Sequence, residues 1–143
     1  MKKLLILIIS AFCLMPLASA QIQKTASNKI TTIASCRMGF VNLRLNEGMF
    51  FLSIGTTNQF DNMMLLKLGD DKESAIQSLN DLVDILESLT GEDMQGIDNG
   101  FGKEFRLYKS LGALYIKADG YAGSGNIAKS ELNKFIKALE AYK

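Results

Sequence analysis

LNDLVDILE at residues 79–87 comes back as LNKFIKALE at residues 132–140. Leu79/Leu132, Asn80/Asn133, Leu86/Leu139 and Glu87/Glu140 are identical, and the apolar positions coincide throughout. Around the first copy, Ala75, Ile76, Leu79, Leu82, Val83, Leu86 and Leu89 recur at helical spacing and line one face. Gln77, Asn80, Asp81, Asp84 and Glu87 take the opposite face. Asp70 with Glu73 three residues on has the form of a capping box, and Thr90-Gly91 stops the helix. Around the second copy the buried stripe is Ala128, Leu132, Phe135, Ile136, Leu139 and Tyr142, with Asn126 as the expected N-cap.

Strand signals stand upstream of each helix. Val41-Asn42-Leu43-Arg44-Leu45 alternates strictly, Asn46-Glu47-Gly48 is turn chemistry, and Met49 to Ile54 returns as a hairpin. Lys29 to Ile33 and Asn62 to Leu68 add strands, and Glu104–Lys109 with Ala113–Asp119 forms a later hairpin. Glu92 to Gly102 has no regular period and is expected to be a long loop. The fold class is therefore α+β, built from a candidate ββα unit used twice. The expectation is one antiparallel sheet of about five strands with both amphipathic helices on one face.

The chain begins MKKLLILIISAFCLMPLASA. Lys2 and Lys3 precede a short apolar core, and Ala18-Ser19-Ala20 is the small-x-small pattern of a signal-peptidase site. Residues 1–20 are expected to be cleaved, 21–27 to be a polar leader, and 28–143 to form a single α+β domain. The uncharged stretch is interrupted by Ser10, Pro16 and Ser19, and a span wants roughly 20 apolar residues, so no stable membrane anchor is expected. Cys13 follows bulky Phe12, which does not suit lipid attachment. The location implied is periplasmic or extracellular.

Loss of Lys2 and Lys3 takes the net charge from +1 to −1, which provides no global field toward nucleic acid or anionic membrane. Cys36 would be the only cysteine left, so no internal disulfide forms and packing must hold the fold. Its simplest role is a buried apolar one. With no histidine in the chain, the commonest general base and most zinc sites are missing. A non-catalytic module with no metal and no cofactor is the reading that follows. A hydrolase or lyase using Asp93, Asp98 or Glu104 is the alternative from another class, and a lipid or small-molecule carrier with an apolar cavity is a third.

Several surfaces are candidates. Gly120 to Asn126 lies between a strand and a helix start. Gly123, Ser124, Gly125 and Asn126 there form a candidate anion-binding loop, against the plainer reading of a flexible connection. It matches neither the Walker nor the dinucleotide pattern. Glu92, Asp93, Asp98 and Glu104 lack the oxygen spacing of an EF-hand, since Gln95 and Ile97 fall on ligand positions. In the N-terminal strands both faces are apolar, and Met49, Phe51, Met63 and Leu65 form the expected interaction face for a homo-oligomer or protein partner. Nine acids oppose one base between Asp70 and Asp98, whereas eight bases oppose four acids after Asp98.

Arg44, Arg106, Tyr108, Tyr115 and Lys117 are expected on the sheet face turned away from the helices. Interleaved cations and aromatics suit single-stranded nucleic acid. A repeated sheet-plus-helix unit with this surface resembles the Whirly-type single-strand-binding fold, in architecture alone and with no shared motif. That resemblance implies a nucleic-acid ligand, but export and the −1 charge oppose it, and no nucleic-acid partner is expected.

Overall fold

A computed structural model describes residues 29–143. The expected signal peptide and leader lie outside the described residues. Eight strands and two helices follow in the order β1 (Thr31–Cys36), β2 (Val41–Asn46), β3 (Met49–Ile54), β4 (Met64–Gly69), α1 (Lys72–Ser88), β5 (Met94–Asp98), β6 (Glu104–Ser110), β7 (Ala113–Ala118), β8 (Gly125–Ala128) and α2 (Lys129–Ala141).

The strands make two antiparallel four-stranded meanders, β1-β2-β3-β4 and β5-β6-β7-β8. This corrects the expected single sheet of about five strands with two helices on one face. The repeated unit is four strands and a helix, not two strands and a helix. Two elements account for the difference. β5 sits inside the expected loop, its MQGID mostly exposed with a glycine at its centre, so it carries almost no alternation. β8 is four residues long and occupies the end of the glycine-rich stretch.

The halves correspond in detail. Each joins its second and third strands through a two-residue turn with positive φ at both positions, Glu47-Gly48 (50° and 85°) and Leu111-Gly112 (49° and 75°). That geometry follows the strand twist, and the glycine adopts it without a Cβ clash. In register from these turns, Asn46↔Met49 answers Ser110↔Ala113, and Asn42↔Ser53 answers Arg106↔Lys117.

One core joins both halves. Val41↔Ile54↔Met64 and Leu43↔Leu52↔Leu66 point inward from the first sheet, as do Leu107↔Ile116 and Phe105↔Ala118 from the second. Leu79, Leu82 and Leu86 of α1 and Leu132, Phe135 and Leu139 of α2 complete it. Each such side chain contributes about 1.5–3 kcal/mol when fully buried. The helices pack on each other, α1 against β4 and α2 against both β8 and the first sheet's β1. The Lys134 ammonium donates to the Ser35 carbonyl (2.9 Å) across that last contact.

The caps differ from the expected ones by small shifts. Asp71, rather than Asp70, caps α1, accepting from the Ser74 N–H at 2.7 Å. α2 begins after Ala128, whose N–H donates to Glu131 (2.8 Å), and Asn126 lies in β8. Its side chain is committed elsewhere.

Candidate functional site: the open face of the second sheet

Alternation along β6 and β7 turns Phe105, Leu107, Leu114, Ile116 and Ala118 into the core and leaves their neighbours outside. The ladder then arranges the outer residues in bands. Met94, Tyr108, Tyr115 and Asn126 form one, Gly96, Arg106 and Lys117 the next. Asp98 and Glu104 pair in the third, beside Asp119, which follows β7. The surface therefore runs aromatic, basic, acidic over three successive outward positions.

Contacts within the bands hold the side chains loosely. The Tyr108 and Tyr115 rings lie 5.3 Å apart, tilted by 32°. The Lys117 ammonium stands 5.3 Å from the Tyr108 ring centre, within cation–π range. Arg106 donates to Asp119 at 2.6 Å, with the two side chains 49% and 97% exposed. Such an exposed pair contributes about 0–1 kcal/mol, so it opens at little cost.

A groove of about 430 Å³ adjoins this face, lined by Thr57, Arg106, Lys117, Asp119, Tyr121 and Ser124 among others. That is within the size range of small-ligand pockets, roughly 300–1,000 Å³. Lys103 sits over the Tyr121 ring at 5.3 Å.

The glycine-rich wall of the groove already holds an anion of its own. The Asp61 carboxylate accepts from the backbone N–H groups of Gly123 (2.8 Å) and Ala122 (3.2 Å) and from the Thr56 hydroxyl (2.9 Å). Led by the Gly123 bond, these hold the Asp61 carboxyl below the usual carboxylate range. The Ser124 N–H donates to the Thr57 hydroxyl, and its carbonyl accepts from the Thr57 N–H. Gly125 bridges to Thr56 and rests against Ile54. A Cβ on Gly123 would stand 2.6 Å from the Asn58 nitrogen, so only glycine fits that approach. The loops meeting here, β3–β4 and β7–β8, are equivalent in the two halves.

Asn126, the fourth residue of the expected loop site, is held by Arg37. The guanidinium donates to its side-chain oxygen and its carbonyl (both 2.6 Å) and to both carboxylate oxygens of Glu131. Arg37 and Met38 have φ of 46° and 52°, left-handed values costing non-glycine residues roughly 1–2 kcal/mol each. The four Arg37 bonds and the Phe40 ring, 4.8 Å from the guanidinium, hold that turn.

Most of the other sequence candidates lie elsewhere on the molecule. Met49 and Phe51 share the outer face of β3, and Leu65 is level with Ser53 on β4. Phe51 is only 5% exposed and Leu65 39%, with Met49 and Met63 half-buried. Arg44 pairs with Phe51 in the first sheet and so lies apart from Arg106, Tyr108, Tyr115 and Lys117. Asp98 and Glu104 come together across β5–β6 as exposed side chains. Asp93 accepts from the Thr90 hydroxyl and N–H, which hold its carboxyl below the ordinary range. Cys36 is buried. The space between sheets and helices is filled by the core. At its edge a groove of about 270 Å³ mixes Leu66 and Leu82 with Lys67, Asp81 and Asp98.

Asp61, Asp119, Tyr121 and Arg37 carry no signal as isolated letters. Only the meeting of distant loops gives them roles. Comparison with protein-family models, curated proteins and solved structures finds no match for this chain. The architectural resemblance to the Whirly-type fold thus gains no support from the comparisons and supplies no ligand.

Proposed function

We propose that this chain is an exported, non-catalytic binding module whose ligand lies on the open face of the second sheet. One observation carries the reading: Arg106 and Lys117 stand side by side on an exposed sheet face, next to a tyrosine pair and opening onto a groove. Guanidinium and ammonium groups are charged at neutral pH and bind anions without abstracting protons. The tyrosines add flat apolar area at low conformational cost. The inward residues of β6 and β7 are buried in the core, so little order must be created there on binding. The signal-like leader supports a working place outside the cytoplasm.

Amide chemical-shift mapping against a library of soluble neutral and anionic ring compounds tests the surface. Shifts are expected to concentrate at residues 94–98, 104–110 and 113–119. Concentration on the first sheet or on the α1–β4 groove would refute the assignment. Export is checked by the intact mass of the protein recovered outside the cytoplasm, expected to begin at Gln21. A full-length mass confined to the cytoplasm would overturn it.

A further inference from the structure

Resting on the binding surface proposed above, we infer that its ligand is an acidic sugar, a pyranose bearing a carboxylate, either alone or within a chain. The three bands correspond to the three chemical parts of such a molecule. A pyranose has an apolar C–H face, which lies on aromatic rings, and Tyr108 with Tyr115 offers those rings at the edge of the basic band. Its carboxylate is planar and accepts paired N–H donors, the geometry a guanidinium supplies. Arg106 and Lys117 are direct ladder partners, and the third position of their row, Gly96, has the Glu104 carboxylate against it, 3.2 Å from where a Cβ would stand. Its hydroxyl rim donates hydrogen bonds, and the next band consists of acceptors, Asp98, Glu104 and Asp119. Thr57 and Ser124 border the same groove.

The exposed Arg106–Asp119 pair fits this arrangement. When a carboxylate replaces Asp119 on Arg106, Arg106 keeps an anionic partner and the Asp119 oxygens, 97% exposed, accept from hydroxyls instead. A single-stranded polynucleotide fits less well. Its charge repeats at every nucleotide, and two cations are followed immediately by three carboxylates on this face. The ligand has to carry sparse negative charge and many hydroxyls.

The experiment titrates the purified protein with a cellotriose-like trimer whose one terminal sugar is a glucuronate, and follows tyrosine emission together with amide shifts. Of the four tyrosines Tyr108, Tyr115 and Tyr121 border this face, Tyr142 packs on Phe50, and there is no tryptophan, so the amide shifts locate any change in emission. Cellotriose and a short oligothymidine strand are the comparison probes, and the double variant Arg106→Gln with Lys117→Gln is the comparison protein, its fold checked by amide dispersion. The trimer is expected to saturate while shifting amides in β6 and β7. Cellotriose and the double variant should each show affinity reduced by about tenfold or more, the scale of one lost charge-assisted contact. Equal or tighter binding of cellotriose or oligothymidine at these amides would overturn the acidic-sugar inference and leave the face as the binding surface. If no probe shifts these amides, both readings fail.

Discussion

At equivalent ladder positions the two sheets carry opposite kinds of outer surface. Asn42, Arg44, Phe51 and Ser53 in the first stand where Arg106, Tyr108, Tyr115 and Lys117 stand in the second. Asn42, Phe51 and Ser53 are withdrawn from solvent at 4%, 5% and 0% exposure, whereas Arg106 and Lys117 are exposed. Asn42 is fully engaged, accepting from the Ser35 hydroxyl (2.8 Å) and donating to the Gly39 carbonyl (2.7 Å). Arg106 has one partner, itself exposed. The same scaffold thus supports a largely withdrawn face, on which the Arg44 Nε is buried without a partner, and an exposed polar face. The proposed binding surface is the second, because exposed groups can exchange water for ligand at low cost.

The largest expected effect comes from putting one substitution at both equivalent sites. Phe51→Lys should destabilise the protein by about 3 kcal/mol or more, since it buries an unpaired charge. Tyr115→Lys should cost less than about 1 kcal/mol, because its head group reaches water. Urea unfolding of the two variants measures the difference, and equal losses would break the contrast between the faces.

A smaller gap is expected between Asn42→Ala and Arg106→Ala. The first leaves buried partners of Asn42 unsatisfied and should cost about 1–3 kcal/mol. The second should stay within about 0.5 kcal/mol in thermal or urea unfolding. A larger loss for Arg106→Ala would make that residue a structural strut and weaken its assignment to ligand.

The smallest effect concerns the junction where the equivalent loops meet. Asp61 has its carboxyl pKa depressed in the folded protein, chiefly by the Gly123 N–H. A depressed carboxylate contributes stability above the unfolded value, about 3.9, and loses it as pH falls through the folded value. Hydrogen-exchange protection of the Ala122 and Gly123 amides should therefore be intact at neutral pH and decline in acid below that unfolded value. Asp61→Asn should remove the acid-dependent part of that decline. Unchanged acid loss in the variant would show that another group controls the loop.

The expected acid site and interaction face drew on real local signals that a strand alone does not place. Met49 and Phe51 do alternate outward as the period of two requires, yet their exposure depends on what else the chain packs nearby. Glycine-rich composition at Gly120–Asn126 suggested free backbone donors. Asp61, some sixty residues away, takes two of them. Arg106, Tyr108, Tyr115 and Lys117 were legible as one surface because strict alternation around a two-residue turn determines both face and register.

The amino-acid sequence by itself determined the amphipathic helices, the central hairpins and their inward and outward residues. Those follow from periodicity, turn chemistry and capping within short reach of the chain. Tertiary structure decided the partition into two sheets, the small strands β5 and β8, and the docking of α2 on β1. It also decided the pairing of Arg106 with Asp119 and of Asp61 with the glycine-rich loop. Partner choice and register depend on groups far apart in sequence, whose contacts form only when the shared core brings the two halves together.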